Sequence, residues 1–134
     1  MRRARHIPGL ILCLSLAAHT AAAQTANAAW QATPASVLKS ALRNVVAAQD
    51  KYRETHPSFA ASLQVLRLNP GADVRVQILA ATENGWRAKA THRVRPGRSC
   101  VVFVGKLAVA ERPRTDGDGD MAGEERVPLC DRME

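Results

Sequence analysis

An α+β fold, with an N-terminal amphipathic helix packed on a small antiparallel sheet, is predicted by three features of this 134-residue chain. Leu38, Leu42, Val45 and Tyr52 recur at helical spacing. Val74, Val76 and Ile78 alternate with Arg75 and Gln77, the period of a half-buried strand. Two further strand-like runs, Trp86–His92 and Cys100–Val104, are separated by turn residues.

Before the helix comes a segment with the order of a secretory signal. Arg2, Arg3, Arg5 and His6 are a basic start, residues 7–18 an apolar core, and Ala21-Ala22-Ala23 a small-residue cleavage site. A second small site lies at Ala26-Asn27-Ala28. About a dozen apolar residues are short of the roughly 20 that span a bilayer. Residues 1–23 are therefore read as a signal peptide, leaving no membrane span and a periplasmic or secreted chain. A lipoprotein leader fits less well, because Leu10-Ile11-Leu12 precedes Cys13 and the cut would fall near the start of the apolar core. Arg2, Arg3 and Arg5 leave with the signal, lowering the formal charge from +7 to +4. The remainder suffices for one domain with one modest core.

Residues 24–33 are small and polar apart from Trp30 and read as a flexible lead-in; 34–134 form the globular domain. Thr33-Pro34 starts the helix, with Thr as cap and Pro in the first turn, where its missing N–H costs nothing. Ala41, Ala48 and Gln49 fill the apolar face, and Pro57 ends the helix near His56. Residues 58–63 start a short second helix whose Phe59, Leu63 and Leu66 share a face. Asn69-Pro70-Gly71 is a loop, Asn84-Gly85 a hairpin turn and Pro96-Gly97 another turn. On the strand from Trp86, Ala88 and Ala90 face one way with His92, and Arg87, Lys89 and Thr91 the other. Cys100–Val104 is almost continuously apolar, as suits a central strand. Residues 111–126 are polar, Gly-rich and aperiodic, an irregular loop held at its far end by Cys130.

After export two cysteines remain, Cys100 and Cys130. A disulfide is the simplest reading of an even pair in an exported protein. It closes a loop of about 30 residues, worth roughly 3–4 kcal/mol by chain entropy. Two free buried thiols or a pair of metal ligands are the alternatives, though there is no CxxC pair and the His spacing does not suit zinc.

Asp116, Asp118 and Asp120 alternate with Gly and offer the hard oxygens that calcium takes. The EF-hand pattern fails, since Met121 and Val127 stand where Gly and an acid are needed. Charge is uneven: residues 75–114 carry nine basic and two acidic side chains, and 115–134 carry seven acids and two Arg. Arg87, Lys89, Arg93, Arg95 and Arg98 make a basic ridge that could take DNA or another anion, though few aromatics accompany it to stack bases. The bland reading is a solvated face partly neutralised by the acidic tail. Ser99, His56 and His92 lie in no nucleophile motif.

The order of these pieces resembles the globular head of type IV pilins and pseudopilins, of the MSHA-type and general-secretion group. Leu38-Lys39-Ser40, Leu42-Arg43-Asn44, Ala48-Gln49-Asp50, Tyr52, Phe59-Ala60 and Ser62-Leu63 keep step with a helix pattern of that group. Gly85–His92 resembles its GWxAxATH segment, followed by the Cys-bearing strand Cys100–Gly105 and, loosely, by Val127–Asp131. Prepilin leaders end in Gly with Glu five residues on; here Gly9 is followed at that distance by Leu14, and no acid precedes Asp50. The resemblance thus implies a pilin-like head without the polymerisation stem. It further implies an exported, non-catalytic interaction module with a protein partner, a pilus or secretion component, and no cofactor. In the general-secretion pseudopilins a C-terminal loop binds calcium, which points the same way as the three aspartates. The alternative function is ligand binding, of calcium at the acidic loop or of DNA or another anion at the ridge.

Cleavage after Ala23 is the first testable consequence. Intact-mass measurement of the exported protein should find a chain starting at Gln24; a mass that retains residues 1–23 refutes the signal reading.

Overall fold

A computed structural model describes residues 32–133. The signal peptide and most of the lead-in lie outside them. Helix α1, Pro34–Arg53, starts where the sequence places it. The Thr33 hydroxyl accepts from the amide of Ser36 at 3.2 Å, and Ser36 Oγ returns a bond to the Thr33 carbonyl. Leu38, Leu42, Val45 and Gln49 form its buried stripe. Each fully buried aliphatic side chain contributes about 1.5–3 kcal/mol. The helix stops three residues short of His56; Thr55 then turns back to the Tyr52 carbonyl and the His56 ring stacks on Tyr52 at 3.7 Å.

The second helix is not formed. Residues 63–67 make a single turn, closed by bonds from Arg67 to Gln64 and from Leu68 to Leu63. Arg67 sits at φ 53°, a left-handed conformation that ends helical winding. The apolar positions still serve as expected, since Phe59, Leu63 and Leu66 pack on the core. Gln49 pins this segment. Its amide donates to the Ala60 carbonyl and accepts from the Ala60 N–H, both at 2.8 Å. A buried amide is tolerated because both its ends are paired.

Strands β1 (Val74–Ala81), β2 (Gly85–His92), β3 (Ser99–Gly105) and the two-residue β4 (Leu129–Cys130) form one antiparallel sheet in the order β1-β2-β3-β4. A register shift between Ile78 and Ala80 leaves Leu79 as an extra residue on β1. The helix covers one face, where Val74, Trp86, Ala88, Ala90, Cys100, Val102 and Val104 join its stripe. Among the described residues no helix is long and apolar enough to cross a membrane.

Asn84-Gly85 is not the turn itself. The hairpin turns over residues 82–84, closed by the Thr82 N–H on the Gly85 carbonyl, and Gly85 is the first residue of β2. It faces Gly105 across the β2–β3 pair. A Cβ on Gly85 would lie 2.4 Å from the Val104 carbonyl oxygen, and one on Gly105, itself at φ +96°, 2.2 Å from that of Asn84. Here glycine is required by backbone approach rather than by turn type.

The second face of the sheet is covered as well. Val101 and Phe103 on β3 pack with Ala122, Leu107 and Leu129 from the chain's last third. This explains the unbroken apolar run: all residues from Ser99 to Val104 are buried. Residues 111–126 are more ordered than their composition suggests. Pairing of Arg114 with Met121, and backbone bonds from Ala122 to Pro113 and from Thr115 to Asp120, fold them into a small hairpin. We refer to residues 106–131 as the strap.

Cys100 and Cys130 are directly opposite on β3 and β4 and form a disulfide. Changing both to Ser should cost roughly 2–4 kcal/mol of stability. Denaturant titration of the double variant checks this, with thiol titration of the unfolded parent expected to find no thiol at these two positions.

Candidate functional site

The basic ridge and the acidic loop, widely separated in sequence, meet on the strap side of the sheet. The outward side chains of β2 lie beside β3, over which the strap hairpin folds. Lys89 on β2 is ion-paired with Asp116, and Arg98, just before β3, with Asp118 at 2.7 Å. Arg87 donates to the carbonyl of Glu111. Arg93 pairs instead with Asp73 at 2.8 Å, with both side chains largely in solvent. Arg95 is exposed and reaches only the Val94 carbonyl. Three of the five ridge residues are therefore held by the chain's own strap, and the ridge is not one continuous free surface.

The three aspartates have separate duties. Asp118 accepts from the Arg132 amide at 2.8 Å and from Arg98. Chiefly through the Arg132 amide, then through Arg98, its carboxyl is held below the usual range against a smaller opposing effect of burial. Asp116 is turned to Lys89, and Asp120 is tied through its N–H to the Thr115 hydroxyl. Among the described residues no group of three or more His, Cys, Asp or Glu side chains is arranged to hold a metal ion. Two of the three carboxylates, Asp116 and Asp118, face cations of this chain, Lys89 and Arg98.

The residue that organises this region is Asp131, which sequence reading passed over. It is buried at 3% exposure. One carboxylate oxygen accepts from the amides of Ser99 at 2.7 Å and Gly117 at 2.9 Å, the other from the amide of Asp118 at 2.6 Å. Burial is the largest influence and raises its pKa. The Thr115 hydroxyl and the amides of Asp118, Gly117 and Ser99 together outweigh it and bring the value down to about 2. The only sequence signal was an acid next to the second cysteine. Ser99, too, is structural: its hydroxyl accepts from the Asp116 amide at 2.8 Å.

His56 and His92 are similarly occupied. His56 Nδ1 lies 2.9 Å from the Tyr52 carbonyl, and His92 Nδ1 accepts from the Val94 amide. No protein-family model matches the chain, and a comparison with curated proteins finds no significant relative.

Because the folded carboxyl titrates lower than an unfolded one, Asp131 stabilises the fold above the ordinary Asp pKa near 3.8. That contribution, about 2 kcal/mol, is lost as pH falls through the window from about 4 to 2. Asp131→Asn places an N–H₂ donor against amide donors and should cost ~2–3 kcal/mol at pH 7. Denaturation curves at several pH values should show the variant lacking most of the parent's loss below pH 4. An Asn variant as stable as the parent at neutral pH refutes this role.

Proposed function

We propose that the chain is an exported, non-catalytic interaction module of pilin type that acts through its surface in the periplasm or outside the cell, alongside a pilus or secretion assembly. The observation that carries this reading is the tying of the C-terminal strap across the sheet opposite the helix, by Cys100–Cys130 and by the Asp131 carboxylate. That arrangement gives a self-contained head. Its parts follow the order of the pilin-like resemblance: helix, turn segment, antiparallel strands, Cys-bearing strand and a C-terminal segment returned to it. A disulfide also suits an oxidising compartment. The groups with the best chemical credentials, Ser99, His56 and His92, make structural bonds, which supports display rather than turnover.

On this reading the partner is a protein, reached through exposed parts of the head. Photo-crosslinking residues placed at Arg43 and Val109, both exposed, test it in the producing cell. The expected result is a covalent adduct with a pilus or secretion subunit in the envelope fraction. Absence of such adducts, together with normal piliation and secretion in cells lacking the chain, overturns the proposal.

A further inference from the structure

Strand β1 is an edge of the sheet, and its backbone shows which groups remain open. The Arg93 amide donates to the Asp73 carbonyl at 2.9 Å, which fixes the phase of the ladder with β2. Alternate residues of an antiparallel strand direct their backbone groups to opposite sides. Arg75 and Gln77 therefore bond β2, whereas Val74, Val76 and Ile78 direct theirs away from it. In keeping with this, the Val74 amide turns to the Gly71 carbonyl instead. Among the described residues, no hydrogen bond outside the sheet reaches the backbone of Val76 or Ile78. The bulge at Leu79 then ends the regular edge.

We propose that this edge pairs with the same edge of a second copy, antiparallel, about a two-fold axis at Gln77. The register follows from the open groups. Val76 of one chain meets Ile78 of the other, and each such pair exchanges two backbone hydrogen bonds, about four in all. Gln77 then faces Gln77 of the copy in a non-hydrogen-bonded position, and Arg75 faces Leu79. This centre opposes no like charges. Arg75 and Gln77 are exposed, and Leu79 is 36% exposed, so the Arg75 stem gains an apolar partner across the axis. An isologous contact of this kind closes on itself and stops at a dimer. Its shortness, set by the bulge, makes the association weak. The inference rests on β1 alone and stands or falls separately from the proposed function.

Sedimentation velocity of the purified chain, over roughly 0.01–1 mM, should show a monomer–dimer equilibrium. Gln77→Lys places two like charges opposite each other and should weaken the dimer about fivefold at low salt, with less effect at high salt. The thermal transition of the monomer should not move, because Gln77 is exposed. In a Cys13→Ser background, Gln77→Cys should form a disulfide-linked dimer under mild oxidation, whereas Arg75→Cys should not, since Arg75 faces Leu79 of the copy. A strictly monomeric parent across the whole range overturns the proposal. So does equal cross-linking at positions 75 and 77, which would show a different register or random collision. A dimer unaffected by Gln77→Lys places the contact elsewhere and overturns it as well.

Discussion

The Asp131 carboxylate is the constraint on which the second layer of this fold depends. Its two oxygens gather amides from the start of β3 and from the tip of the strap hairpin. The neighbouring Cys130 is covalently joined to Cys100, one residue past Ser99. The Asp131 amide closes the loop by donating to the Ser99 carbonyl at 2.9 Å. A short strand of two residues would not hold a 26-residue excursion by ladder bonds alone. The carboxylate and disulfide act at one point and convert the excursion into a layer.

That layer changes what the sheet must be made of. A sheet packed by a helix on one side only would carry apolar residues at alternate positions. β3 is instead apolar throughout because Cys100, Val102 and Val104 meet the helix while Val101 and Phe103 meet the strap. Arg112 lies over the Phe103 ring at 5.0 Å, and Gly105 donates its amide to Glu125. The strap thus combines a small apolar cluster with polar stitches. Neither set would suffice alone, since the cluster holds only three fully buried side chains.

Elements governed by local periodicity were legible in the sequence. The cap at Thr33, the helical stripe and the alternation of β1 and β2 all follow from side-chain spacing. The disulfide was legible as the simplest pairing of two cysteines. What could not be read was set by contacts distant in sequence. The single turn at residues 63–67 has the composition of a helix start but is fixed by Gln49 on Ala60 and by the left-handed Arg67. The hairpin over 111–126 has no periodic signal because its order comes from Asp131 and from ion pairs with Lys89 and Arg98. The Asn84-Gly85 pair suggested a turn type, whereas the glycine answers to the approach of β3.

Charge misleads in this chain for the same reason. Read along the sequence, a basic third and an acidic tail suggest two separate surfaces, one for anions and one for cations. The fold lays the second on the first. An external polyanion would have to displace Asp116 from Lys89 and Asp118 from Arg98, and Asp118 is only 14% exposed. Such displacement would also disturb the amides that satisfy Asp131, leaving a buried carboxylate short of donors, which is far costlier than losing an exposed ion pair. Among the described residues, exposed cations outside any ion pair include Arg43, Lys51, Arg67, Arg75, Arg95 and Lys106. The strap's own carboxylates thus occupy Lys89 and Arg98 in the basic segment, and the positive charge left open lies away from those two contacts.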